Sequence, residues 1–151
     1  MGKHARIAAQ VAGLTGRAGS RYHACYLEYF RLFNARGYYE AHDVLEHIWL
    51  GAEGEIRDFY KALIQFAGGF VHLQHHHREP LHRIHGRRLR PAERLFRRCA
   101  ELLGPFPGVY EGLDVAGLRI AALAVAHDLA RGAYAVNPWM PANAPKLELR
   151  S

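Results

Sequence analysis

Apolar side chains recur at helical spacing along most of this chain, and that periodicity constrains the fold more than any other feature. The clearest stripe follows the spacing i, i+3, i+4, i+7 and consists of Tyr22, Cys25, Tyr26, Tyr29, Phe30 and Phe33. A second segment, 55–76, is apolar on both sides, which is typical of a helix at the centre of a bundle. No segment alternates between apolar and polar residues as a strand would. The sequence therefore predicts an all-α fold.

The predicted fold is a single-domain bundle of about five main helices around a central buried helix. The helices are expected at about 22–36, 38–50, 55–76, 89–103 and 115–131, with Gly37 as the C′ residue of the first and Asp114 as the N-cap of the last. The predicted organisation is an N-terminal helical extension over 1–20, the bundle over 21–132 and an extended C-terminal tail over 133–151. We expect this tail to lie on the surface.

Composition excludes several classes of protein. No apolar run approaches the roughly 20 residues needed to span a bilayer, so no membrane association is expected. The two cysteines, Cys25 and Cys99, are too far apart in sequence for a thiolate zinc motif, and two are too few for a disulfide framework. A reduced, cytoplasmic setting fits best.

The second predicted helix carries two acid–imidazole pairs at i, i+4 spacing. At about 100° per residue, His42 falls near the edge of the buried arc and Glu46 lies on its rim. Asp43 and His47 fall on the opposite face, where we expect a pair of solvent-exposed side chains. Only the pair of His42 and Glu46 is therefore predicted to point toward the protein.

The central predicted helix has a matching polar strip. Gln65 and His72 are seven residues apart, and Gly68 and Gly69 between them leave room for a close helix neighbour or a small cavity. If these two helices form an antiparallel hairpin, His42 and the other polar groups converge.

Two imidazoles and a carboxylate, from His42, His72 and Glu46, form a ligand set that holds a catalytic divalent metal with an open water position. Zinc is the first choice of metal. In this hypothesis Gln65 orients water or an unknown small-molecule substrate, and Glu46 acts as general base if the metal takes another ligand. Spacing alone leaves a second interpretation open, in which these side chains only satisfy one another by hydrogen bonding.

A family resemblance rests on the same residues. The stretch LFNARGYYEAHDVLEHIW at 32–49, followed by FYKALIQ at 59–65 and by His72, resembles the domain-of-unknown-function family 309. The resemblance covers roughly 22–131 and implies a small all-helical bundle, of the kind often described as a predicted metal-dependent hydrolase. It maps the family's His and Glu onto His42 and Glu46, its Trp onto Trp49, and its Gln and second His onto Gln65 and His72.

The chain also departs from the pattern of that family. Asp43 and Ala62 stand where members tend to have Glu and Gly, and a stretch rich in histidine and arginine replaces a short Gly-Asn loop. Six histidines crowd into this region: His72, His75, His76, His77, His82 and His85. His72 and His76, one helical turn apart, could chelate Zn²⁺ or Ni²⁺ at the surface without any catalytic role.

Arginines in the same region support a different class of function. Residues 78–98 carry eight arginines and two glutamates, which accounts for the whole net charge of +6. Four of the arginines recur along one helix face: Arg87, Arg90, Arg94 and Arg97. Such a face can neutralise the phosphates of an anionic ligand or a nucleic acid, or it can simply be the solvated side of an amphipathic helix. No aromatic residues interleave there, so nucleic acid is the less favoured ligand.

A non-catalytic helical interaction module is the remaining alternative. One helical hairpin around Gly37 is similar to a tetratricopeptide unit, but the chain has no 34-residue self-similarity. Under this alternative the partner would be a second copy of the chain, bound through the aromatic first helix.

Overall fold

The computed structural model describes residues 21–150. Its five α-helices are α1 (Ala24–Asn34), α2 (Tyr38–Trp49), α3 (Glu55–Arg78), α4 (Leu89–Leu103) and α5 (Val115–Arg131). Short 3₁₀ turns cover His85–Arg87 and Pro141–Asn143, and a two-stranded antiparallel hairpin joins β1 (Val109–Tyr110) to β2 (Leu113–Asp114). The predicted all-α bundle is confirmed. The predicted N-terminal extension over 1–20 lies outside the described residues.

Each helix packs against the next along the chain, and α3 lies against both α2 and α4. Phe66 of α3 shows why this helix is central. Its ring stacks on Phe33 of α1 at 5.5 Å and meets Phe96 of α4 edge to face at 5.8 Å. The aromatic stripe of α1 is buried within the single chain, with Tyr29 and Phe33 fully inaccessible. Within the described residues, no helix is both long and apolar enough to cross a membrane.

At Gly68 and Gly69, side chains of α4 lie close to the backbone of α3. A Cβ on Gly69 would lie 2.5 Å from Cζ of Phe96, and one on Gly68 would lie 3.2 Å from Cδ1 of Leu95. Real Cβ atoms do not tolerate the first distance. Because the two glycines have no side chains, α4 can pack closely against α3 at this point.

Helix ends agree with the sequence in one case and differ in another. Asp114 is the N-cap of α5, because its Oδ1 accepts a hydrogen bond from the Gly117 N–H at 2.9 Å. At the end of α1, however, Arg36 adopts the left-handed φ of 65°, while Gly37 has a φ of −87° and is the N-cap of α2. The prediction of Gly37 as a C′ residue was therefore wrong by one position.

Most residues of the C-terminal tail are exposed or half-buried, but Trp139 is an exception to the surface position predicted for it. Trp139 is only 5% exposed and packs into the core. Further along, Asn34 of α1 exchanges two hydrogen bonds with the backbone of Leu147, at 2.8 and 2.7 Å. The contacts that hold the tail are made with residues far away in the sequence, such as Asn34. A helical period in the tail sequence could not have indicated them.

Candidate functional site

His42 of α2 is flanked by two carboxylates. Its Nδ1 lies 3.2 Å from Oδ1 of Asp43, and its Nε2 lies 3.8 Å from Oε2 of Glu46. Because a carboxylate oxygen only accepts hydrogen bonds, Nδ1 carries the hydrogen in this contact. The Nε2 of the neutral imidazole then holds a lone pair on the side of Glu46. This half-buried pair is able to bind a cation or to accept a proton.

The position of Asp43 corrects the sequence analysis. Asp43 was expected to face water, but it is only 9% exposed and contacts His42. His47, its predicted partner, is half-exposed. Since α2 packs against both α1 and α3, more of its circumference is covered than a single apolar stripe indicates. Asp43 is thus a candidate site residue that a helical projection placed on the wrong side.

His42 also lies against the polar strip of α3. A Cβ on Gly68 would be 3.9 Å from Cδ2 of His42, so the imidazole ring sits over the glycine. Gln65, which is half-buried, precedes Gly68 by about one turn, and His72 follows it by one turn. The term α2–α3 groove is used below for His42, Glu46, Gln65 and His72, which are polar residues of two helices that pack against each other.

His72 has an unexpected partner. Nη1 of Arg88, which directly precedes α4, lies 3.2 Å from Nδ1 of His72, and Nε of the same arginine donates to Nδ1 of His85 at 2.8 Å. A guanidinium has only donors, so Nδ1 of His72 accepts and its Nε2 carries the hydrogen. Burial, and next the charge of Arg88, lower the pKa of His72 from 6.5 to about 4. His72 is therefore neutral at pH 7, with its lone pair used by Arg88.

Other histidines also use their Nδ1 as an acceptor. His82 accepts at Nδ1 from the backbone N–H groups two and three residues further on, at 3.0 and 3.1 Å. His23 accepts from the N–H two residues further on at 3.0 Å, and Nδ1 of His76 lies 3.3 Å from the amide nitrogen of Asn137. In each of these rings the hydrogen is on Nε2. His42 has the opposite tautomer, because its Nδ1 faces a carboxylate.

The loop between α3 and α4 gathers a different trio of ligand-type side chains. Within residues 21–150, the group of three whose ligand atoms all lie within 4.8 Å of one another is Glu79, His82 and His85. His42, Glu46 and His72 do not form such a group there. In the loop, however, Nδ1 of both imidazoles already accepts hydrogen bonds from N–H donors. Metal binding through the other ring nitrogen would require a hydrogen on Nδ1 and would break those bonds.

The four arginines of the predicted basic face separate into two groups. Arg87, Arg90 and Arg94 line a cavity of about 420 Å³. The other residues of its lining are Gly86, Leu89, Pro91 and Tyr134. Arg97 is instead paired with Glu93, with its Nε 2.8 Å from Oε2. The sequence did not indicate Tyr134 or Arg88 as site residues, since both act through partners that are distant in the chain.

Over residues 21–150 these observations define a small five-helix bundle in which two packed helices carry imidazoles and carboxylates. The family described as Domain of unknown function (DUF309) matches residues 26–84, which include all of α2 and α3. That match confirms the resemblance of the chain to this family. No curated protein and no solved structure matches the chain.

Proposed function

We propose that the α2–α3 groove binds a divalent metal, with zinc as the first choice, for hydrolysis of a small-molecule substrate. The observation that carries the proposal is the 3.2 Å contact between Nδ1 of His42 and Oδ1 of Asp43. Metal-binding histidines typically donate their second ring N–H to a carboxylate, which fixes the tautomer and makes the other nitrogen a better ligand. His42 has that arrangement.

Two of the proposed ligand atoms have a spacing that suits a single metal ion. Nε2 of His42 and Oε2 of Glu46 are 3.8 Å apart, close to the roughly 3.4 Å that separates two ligand atoms of a tetrahedral zinc ion. A bound zinc ion would act as a Lewis acid and lower the pKa of a coordinated water. Gln65 would orient water or substrate, and Glu46 would act as general base if the metal takes another ligand.

The third proposed ligand, His72, fits only when Arg88 moves away. A neutral imidazole that coordinates a metal through Nε2 has a hydrogen on Nδ1. Its Nδ1 can then no longer accept the hydrogen bond that Arg88 donates at 3.2 Å. Arg88 and a metal therefore compete for His72. In this proposal Arg88 regulates whether the groove offers two protein ligands or three.

Isothermal titration calorimetry, with zinc added to chelator-treated protein, tests the proposal. The background is a Glu79→Gln/His82→Ala variant, which removes two of the three loop ligands and keeps His85 as a partner of Arg88. In this background His42→Ala should weaken zinc binding more than about tenfold, and Asp43→Asn should weaken it by about 10-fold to 100-fold. His127→Ala, at an exposed position of α5, is the matched control and should bind as the background does.

A further variant addresses the competition at His72. Arg88→Ala should tighten zinc binding, and adding His72→Ala should abolish that gain. Thermal unfolding without metal establishes that each variant is folded. If His42→Ala and His127→Ala bind zinc with the same affinity and stoichiometry, the metal site is excluded.

A further inference from the structure

The cavity at the start of α4 is a second candidate site, and it shares no residue with the α2–α3 groove. Its volume is about 420 Å³, and its lining includes three arginines and no acidic residue. Pockets of about 300–1,000 Å³ are the usual size for small-molecule ligands. We propose that this cavity binds a phosphorylated small molecule, with Arg87, Arg90 and Arg94 as its charge partners.

Among the described residues the three arginines form no direct ion pair, although the charge of Glu93 reaches Arg90. Within residues 21–150, Arg87, Arg90 and Arg94 have no carboxylate oxygen within 4.0 Å. The acid closest to them in sequence, Glu93, is already engaged, because it accepts hydrogen bonds from the hydroxyl of Tyr134 at 2.6 Å and from Nε of Arg97 at 2.8 Å. A ligand with two or more negative charges would supply the missing counter-charge.

One of the arginines is already held in place. Cζ of Arg90 lies 4.3 Å from the centre of the Tyr134 ring, in a cation–π contact. Tyr134 and Ala133 both adopt left-handed backbone conformations, with φ of 60° and 53°, although neither is glycine. The N–H of Tyr134 donates to the carbonyl of Leu129 at 3.0 Å, and its hydroxyl donates to Glu93. Because Tyr134 is fixed at both ends, less conformational entropy is lost when Arg90 binds an anion.

The shape and chemistry of the cavity favour a phosphate group over a nucleic acid chain. Guanidinium groups bind phosphate oxygens through paired N–H donors, and the first turn of α4 adds partial positive charge. The aromatic residue of the cavity, Tyr134, has a ring face covered by Arg90, so that face is not available for stacking on a base. A concave site lined by three arginines matches a compact organic phosphate.

Calorimetric titration with inorganic pyrophosphate tests this inference, with a chelator present so that no metal contributes. The wild-type protein should bind one equivalent, and Arg90→Gln/Arg94→Gln should weaken binding by about tenfold or more. The control, Arg98→Gln/Arg119→Gln, removes the same charge at exposed positions outside the cavity lining and should change affinity less than about twofold. His42→Ala should bind pyrophosphate as the wild type does, which separates this result from the proposed metal site.

Three outcomes would overturn the inference. The first is an absence of pyrophosphate binding by the wild-type protein. The second is an equal loss in the cavity variant and the control variant, since that result would reflect net charge alone. The third is tighter binding of a single-stranded oligonucleotide that depends on Arg98 and Arg119 as strongly as on Arg90 and Arg94, because this would indicate a diffuse nucleic-acid surface.

Discussion

The indole Nε1 of Trp139 donates a hydrogen bond to the phenolic oxygen of Tyr38 at 3.0 Å, and both side chains are buried. The two rings also meet edge to face, with centroids 6.0 Å apart. Tyr38 is the first residue of α2, one turn before His42. The C-terminal segment is therefore anchored to the helix that carries most of the candidate metal ligands.

Removing the acceptor of this hydrogen bond should destabilise the fold. In Tyr38→Phe the indole N–H of Trp139 stays buried without a partner, which costs about 1–3 kcal/mol of unfolding free energy. Urea denaturation followed by tryptophan fluorescence measures the change. Tyr39→Phe is the matched control, because Tyr39 is 58% exposed, and it should alter stability by less than about 0.5 kcal/mol. Equal losses in both variants would contradict the role of the Tyr38 hydroxyl.

The contact of α3 with α4 at Gly69 gives a second prediction. Gly69→Ala gains about 1 kcal/mol of helix propensity, but its methyl group would lie 2.5 Å from Phe96. Phe96 is fully buried and meets both Phe66 and Phe70 edge to face, so its ring has little room to shift. We expect the overpacking to exceed the gain and to lower the unfolding free energy by about 1 kcal/mol or more.

The control for this variant is Gly108→Ala, since a Cβ at Gly108 would have nothing within 4 Å. This substitution should be neutral or stabilising by up to about 1 kcal/mol, through the unfolded state. Thermal and urea unfolding compare the two variants. A Gly69→Ala protein as stable as the wild type would mean that α4 is not held against α3 at this point.

The helices could be predicted from the sequence because their signals are local. Apolar periodicity predicted the five helices of the described residues. The N-cap at Asp114 depends on a hydrogen bond to a residue only three positions away. The burial of Trp139 could not be predicted in this way, because it depends on Tyr38, which is 101 positions away. Gly37 was assigned the turn conformation that Arg36 adopts, because the sequence indicated a turn but not which residue takes the positive φ.

The carboxylate of Asp114 both caps α5 and lies near Arg150, and two substitutions can separate these contributions. Oδ1 of Asp114 accepts from the N–H of Gly117 at 2.9 Å, and Oδ2 lies 3.7 Å from Nη2 of Arg150. Asp114→Ala removes both contacts and should cost about 1 kcal/mol of unfolding free energy. Asp114→Asn keeps the cap and should cost less than about 0.5 kcal/mol. If the two variants lose equal stability in urea unfolding, the charge rather than the cap stabilises this helix end.

The candidate site was only partly accessible from the sequence. The spacing of His42 and Glu46 on one helix follows from the helical repeat, and their side chains do approach each other to 3.8 Å. The tautomer of His42 depends on Asp43, which a single-stripe projection assigned to solvent. The lowered pKa of His72 depends on burial and, next, on Arg88, which comes from a loop whose path has no periodic signal. Chemistry at both imidazoles is thus determined by neighbours that only tertiary structure identifies.

The acid sensitivity of the fold follows from the lowered pKa of His72. In the unfolded chain this imidazole protonates near pH 6.5, but in the fold its pKa is about 4. Unfolding therefore takes up a proton between these values, and the unfolding free energy falls as the pH drops through that window. Nuclear magnetic resonance of the ring protons in chelator-treated protein should give a midpoint near 4. Arg88→Gln should raise this midpoint only part of the way to 6.5, because burial is the larger cause. A wild-type midpoint near 6.5 would contradict both the burial of His72 and its contact with Arg88.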